Sequence, residues 1–288
     1  MSQEQRKFDP IQYKQTTRNQ WETAAEAWHR WGGLLSEWLG APTEMMFDMA
    51  DIGEGSRVLD VAAGAGEQTV AAARRVGPGG YVLATDLSPT ILSFAAEQAK
   101  EAGLNHVETR ELDGENLTEL EPASFDAVIS RVGMIYFPDQ QKALAGMKHA
   151  LKPGGKVAAM VYSTAEKNAF FSLPVSIIRR RAKLPPPLPG QPGPFSLGGE
   201  GVLEAVFAEA GFRDIQSKVV DAPVRLESAA ECLRFEKESF GALHQMLSDL
   251  SEEERDAAWE EIEQELNQFQ KNGSFEGPCE LVIAVGTK

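Results

Sequence analysis

Between residues 57 and 163 the chain alternates short apolar runs with longer stretches of helical character, and no other feature constrains the fold as strongly. The runs are RVLDVAA (57–63), YVLATDL (81–87), HVETREL (106–112), FDAVISR (125–131) and GKVAAMVYS (155–163). Strands separated by helix-length segments join as βαβ units, which lie parallel in one sheet with helices on both faces. Two of the intervening segments carry their own boundaries. In LSPTILSFAAEQAKEAG, Ser88 stands at the N-cap, Pro89 at the first helical position and Gly103 beyond the end. In PDQQKALAGMKHALKPGG, Leu144, Met147 and Leu151 share a helical face, and Pro153-Gly154-Gly155 stops the helix before the next strand.

The rhythm changes elsewhere. AGFRDIQSKVV (210–220) and CELVIAVGTK (279–288) read as two closing strands. Between them 227–270 is helical, with one seam of Leu233, Phe240, Leu243 and Leu247. A second seam of Trp259, Ile262, Leu266 and Phe269 follows the capping box Ser251-x-x-Glu254. Two closing strands split by an excursion suit a sheet that ends in an antiparallel pair. LPPPLPGQPGPFSLGG (184–199) can be neither helix nor central strand, and reads equally as a linker or as a wall over a site. RNQWETAAEAWHRWGGLLSEW reads as one helix whose Trp21, Trp28, Trp31 and Trp38 form a stripe, facing the core or covering a ligand.

The predicted architecture is α/β: a Rossmann-like, doubly wound seven-stranded sheet with an antiparallel last strand, N-terminal helices and a helical lid or insert. We expect one domain over 1–288. Its parts are an N-terminal helical cap (1–50), a cofactor-binding core (51–162), a Pro-rich lid (163–205), closing strands (206–226 and 278–288) and a helical insert (227–277).

Composition excludes several function classes. A formal net charge of −15 repels phosphate backbones, so no nucleic-acid partner is expected. Cys232 and Cys279 are the only cysteines, which rules out a disulfide framework or a thiolate metal site and fits a reducing compartment. The start, MSQEQRKFDP, has no apolar secretory core, and no run approaches the 18 or so apolar residues of a membrane span. A cytoplasmic protein without a transmembrane segment is the expectation.

VLDVAAGAGEQT (58–69) is the kind of strand–loop–helix passage that holds a nucleotide cofactor. A dinucleotide fingerprint would place a third glycine three residues after Gly66, where Thr69 stands. Asp86, 20 residues after Gly66, suits ribose hydroxyls in either class of cofactor. A hydride-transfer enzyme of the short-chain type would carry Tyr with Lys four residues on; Tyr13, Tyr81, Tyr136 and Tyr162 have Thr17, Thr85, Gln140 and Glu166 there. That reading has no chemistry to perform.

VLDVAAGAGEQT, ATDLSPTIL, ELDGENL, FDAVISRVGMIYFPD and LKPGGKVA occur in the order and spacing of the class I S-adenosylmethionine-dependent methyltransferases. Over about 10–215 and the last strand, the chain most resembles their UbiE-type group, relatives of the ubiquinone/menaquinone C-methyltransferases. The insert at 227–270 and the proline loop lie outside the common core. The resemblance implies S-adenosylmethionine as cofactor. Its methionyl part would lie against the small residues Ala62, Ala63, Gly64, Ala65 and Gly66, where the backbone can approach closely. Where Ala62 stands the family usually has Gly, and where Ala65 stands often Thr, so a hydroxyl contact is lost at 65. Asp86, followed by Leu87, matches the acidic residue that grips both ribose hydroxyls, and Asp113 with Gly114 the position that meets the adenine amino group. Ser130 and Arg131 end a strand on the edge where ligands sit in open α/β sheets. Asp60 is expected to order the loop or to meet the methionyl ammonium through water. For Arg131 three roles stay open: the methionyl carboxylate, an acidic substrate, or a paired carboxylate.

Methyl transfer is an in-line displacement that needs alignment and dryness, so no metal is expected. If the acceptor must lose a proton, His29 and Tyr136 are the candidate bases, while His106 and His149 read as structural. The acceptor pocket is expected from the first helix, Val132 to Phe137 and 163–200, with Phe170, Phe171 and Phe195 adding apolar surface. A small, partly apolar or aromatic acceptor follows, with aromatic rings also able to favour a cationic amine. The cluster Arg179–Arg181 with Lys183 is a solvated helix face, or else meets an acidic substrate or an anionic membrane surface. The alternatives are a lipid-quinone C-methyltransferase and a cofactor-binding protein without transfer activity. The acceptor atom and the oligomeric state, a homodimer included, stay open.

Overall fold

The computed structural model describes residues 8–188 and 190–288, so most of the polar start of the chain lies outside the described residues. Asp9 caps the first helix by accepting from the amides of Ile11 and Gln12, with Pro10 at the first position. The helix does not continue as one. It is α1 (Pro10–Arg30), and after Trp31 the chain turns into α2 (Gly32–Met49). At this corner Gly32 lies close to Glu67 of the next helix, an added Cβ standing 2.9 Å from its Oε1. The tryptophans divide accordingly. Trp31 and Trp38 are buried and donate to Glu238 and to the Ala222 carbonyl, whereas Trp21 and Trp28 are half-buried over the sheet edge.

The core then runs β1 (Arg57–Val61), α3 (Glu67–Val76), β2 (Tyr81–Asp86), α4 (Pro89–Glu101), β3 (Val107–Glu111), β4 (Phe125–Arg131), α5 (Gln140–Ala150) and β5 (Leu151–Tyr162). Ser88 caps α4 as expected, accepting from the Ile91 amide. The α5 boundary differs from its sequence signal. Leu151 already belongs to β5, and Lys152 to Gly155 are passed over where the β4–β5 register jumps from Phe125↔Leu151 to Ala127↔Lys156. Pro-Gly-Gly therefore makes a bulge rather than a helix stop.

After β5 come α6 (Ala169–Arg181), α7 (Val202–Glu209), β6 (Arg213–Asp221), β7 (Val224–Leu226), α8 (Ala229–Ser239), α9 (Gly241–Met246) and α10 (Glu252–Leu266). The chain closes with β8 (Gln270–Lys271), β9 (Ser274–Gly277) and β10 (Glu280–Thr287). The sheet has seven strands in the order β3-β2-β1-β4-β5-β10-β6, with β10 antiparallel to both neighbours. That is the predicted fold. Two details correct the expected boundaries. The segment 227–277 is not wholly helical, because β9 pairs with β7 and β8 in a second, three-stranded sheet. And α7 straddles the boundary drawn at 205/206.

Both helical seams are buried apart from the half-buried Phe269, and the capping box forms between Ser251 and Glu254. Phe47 of α2, Phe170 of α6, Phe235 of α8 and Phe275 of β9 are fully buried in the same cluster as the central strands. The helical excursion thus shares the sheet's core. The strand order reverses between the parallel neighbours β1 and β4, at whose carboxyl ends a crevice opens.

Candidate functional site

The crevice is built on the loop after β1. Ala62 has φ +59°, a left-handed conformation that costs an alanine about 1–2 kcal/mol. Replacing Ala62 by glycine should therefore hold or raise the melting temperature, and Ala62→Val should lower it by several degrees; a drop on Ala62→Gly would show the strain to be absent. Behind the loop Asp60 is fully buried and accepts from Thr69 Oγ1 at 2.6 Å and Gln68 Nε2 at 3.4 Å. Gln68 also donates to the Ala63 carbonyl, so Asp60 pins the loop to α3 from behind and does not line the crevice.

Burial raises the Asp60 carboxyl to about 6, against hydrogen bonds from Thr69 and Gln68 and the charge of Arg131 that favour the ionised form. Between pH 4 and 6 the folded chain then keeps a proton that the unfolded chain has lost. Stability from this group is greatest at the acid end and falls as pH rises through 6. Relative to the parent, Asp60→Asn should gain about 2–3 kcal/mol across that window in denaturant titrations at several pH values. A difference independent of pH would contradict the raised pKa.

Asp86 ends β2, and its two carboxylate oxygens accept from the amides of Gly64 and Ser88, each at 2.9 Å. Burial pushes its carboxyl up, opposed by those amides. Asp113, after β3, takes Lys14 Nζ at 2.7 Å and the Glu115 amide at 2.9 Å. Lys14 reaches Glu115 as well, at 2.7 Å, and so ties α1 to the far rim. At the end of β4, Ser130 Oγ is buried without a partner. The adjacent Arg131 guanidinium is buried, 3.7 Å from Glu67 Oε2 and 3.4 Å from Thr43 Oγ1. Of its three open roles the structure shows only this loose pairing, which leaves most of its donors unfilled.

Ala62, Gly64, Asp86, Leu87, Asp113, Gly114 and Arg131 line the crevice together, under a cover of Trp21 and Trp28. The other expected residues stand behind it. Ala65 packs with Ala25 and Ile91, and Gly66 lies against α4. Tyr136 is in the wall, but burial pushes its phenol well up, which keeps it protonated, a hydrogen-bond donor and not a base. His29 is not brought to the site. Its ring stacks on Phe94 at 4.5 Å, lies 3.4 Å from Gln98 Nε2, and lines neither this crevice nor the cavity described next. The sequence reading missed Lys14 and Tyr162, which the fold alone brings to the crevice.

A second cavity of about 720 Å³ opens beside the first, between α1, α6, α9 and the proline loop. Gln191 to Ser196 form one side, so the loop is a wall and not a free linker. Thr17, Trp21, Tyr136 and Phe240 belong to both spaces and form the partition between them. Ser239 Oγ, buried and unpartnered, lies on the second cavity's wall.

Residues 58–155 match a protein family described as methyltransferase domain. Among curated proteins, an uncharacterized protein of Mycobacterium tuberculosis is 33% identical over 147 residues, 51% of each chain. A demethylmenaquinone methyltransferase of Bacillus cytotoxicus is 38% identical over 112 residues, 38% of this chain and 46% of that one. The match thus spans about half the length of these curated relatives. In fold, the chain is similar to Haemonchus contortus phosphoethanolamine N-methyltransferase 2, solved with phosphomonomethylethanolamine and S-adenosylhomocysteine. There the TM-score is 0.53 at 22% identity, covering 86% of this chain and 52% of that one. No helix among the described residues is long and apolar enough to cross a membrane.

Proposed function

We propose that this chain is an S-adenosylmethionine-dependent methyltransferase acting on a small, partly apolar acceptor. The observation that carries the reading is the partition. A crevice with acidic residues at the ends of two successive strands shares Trp21, Tyr136 and Phe240 with a larger, mainly apolar cavity. A donor and an acceptor placed on either side would meet there.

The residues present fit the cofactor. Asp86 and Asp113 keep free lone pairs for a ribose and an adenine amino group, and Arg131 and Ser130 have unused donors or acceptors beside the small-residue loop. S-adenosylmethionine brings an activated methyl group on a sulfonium, which leaves by in-line displacement. The chain's share is therefore positioning and the exclusion of water. Trp21 and Trp28 lie over the crevice. The pairing of Lys14 with Asp113 and Glu115 holds α1 over it. At the partition, Tyr136 can donate to a polar group of the acceptor and does not have to act as a base.

A lipid-quinone acceptor, as in the name of the Bacillus relative, suits the apolar wall and is the second reading. The test is incubation with methyl-labelled S-adenosylmethionine and a fractionated metabolite extract. Label should move to a small molecule. Label retained on a cofactor that nevertheless binds would make this a cofactor-binding protein without transfer activity.

A further inference from the structure

We infer that the acceptor taken by the second cavity is an apolar ring or chain carrying an anionic group, and that Arg179 receives that group. The inference rests on the methyl-transfer reading only in calling the ligand an acceptor.

The chain has 43 acidic and 28 basic residues, yet among the described residues the wall of this cavity contains no Asp, Glu, Lys or His. The one charged residue among the described ones that line it is Arg179, in the last turn of α6. The basic run 179–181 is sorted by the fold. Arg180 and Arg181 both pair with Glu261 of α10, which holds them outside the cavity. Half-buried Arg179 faces the cavity, and among the described residues no carboxylate lies within 4.0 Å of it. It donates to the Pro185 carbonyl, one bond for a group with five N–H donors.

A half-buried guanidinium in a mainly apolar wall keeps unused donors turned to the cavity, and carboxylate or phosphate oxygens match its fork. The aromatic partition by itself would favour a cationic amine. Arg179 works against that choice by repulsion, and against a neutral ring by staying unpaired, which is how specificity arises from disfavoured partners. Because Arg179 lies on the second cavity and not on the crevice, the anionic group is an anchor remote from the partition. It is not the atom that receives the methyl group.

The test titrates the full chain with 2-naphthoate, 2-naphthyl phosphate, 2-naphthol and 2-naphthylmethylamine, following tryptophan fluorescence, with and without S-adenosylhomocysteine. At least one of the two anionic probes should bind about tenfold tighter than the amine and tighter than the naphthol, and which one does so identifies the anion. Arg179→Gln should abolish the preference, Arg179→Lys retain part of it, and Arg181→Gln leave it intact. Were Arg179→Gln not to fold, the ranking in the parent and the lysine variant would still decide. Equal or tighter binding of the amine, a preference that survives Arg179→Gln, or no binding of any probe at about 1 mM would overturn the inference. Failure of S-adenosylhomocysteine to bind would count against methyl transfer instead, and the ranking without it would judge Arg179 alone.

Discussion

Replacing Asp86 by alanine is expected to weaken S-adenosylhomocysteine binding by at least tenfold while the chain stays folded. Two effects add. The carboxylate offers the proposed ribose charge-assisted hydrogen bonds worth about 1.5–3 kcal/mol each. It also holds the Gly64 amide at 2.9 Å, so its loss leaves that donor unpaired and the loop less fixed. Asp86→Asn keeps one acceptor oxygen and should fall between the parent and the alanine variant in calorimetry. An alanine variant that binds as tightly as the parent would show that the ribose lies elsewhere.

Gly66→Ala should be the most destabilising single-methyl change in the loop. At φ +102° an added Cβ would stand 2.6 Å from Cα and Cβ of Ala95 in α4. Backbone cannot swing aside as a flexible side chain can, so α3 and α4 would have to part. Left-handed strain and overpacking together suggest a loss of about 2–4 kcal/mol in urea unfolding. Gly79→Ala is the control, since nothing lies within 4 Å of its added Cβ. Equal effects of the two changes would mean that the loop is not pressed against α4.

What could be read from the sequence followed local rules. Ser88 and Pro89 announce a helix start because the cap and the fixed φ act within four residues, and Ser251 and Glu254 announce another in the same way. The sheet followed from alternation, while Asp86 and Asp113 were singled out by the resemblance of their motifs. Other features are tertiary. Lys14 meets Asp113 across 99 residues of chain, and nothing near Lys14 marks it. The tryptophan spacing fits one helix, but the chain turns after Arg30, sending Trp31 and Trp38 to the core and leaving Trp21 and Trp28 over the crevice. His29 was attractive for its chemistry alone, and a stacking partner on α4 takes it out of reach. Strands of two to four residues, such as those of the small sheet, are too short to show a period.

The most direct measurement is calorimetric titration of the purified chain with S-adenosylhomocysteine and, separately, with NAD. The loop lacks the third glycine of a pyrophosphate site, and its small residues Ala62, Ala63 and Gly64 line the crevice proposed to take a methionyl tail. Binding of S-adenosylhomocysteine with a dissociation constant of about micromolar order, and none of NAD, is the expected result. Binding of NAD without S-adenosylhomocysteine would contradict the account.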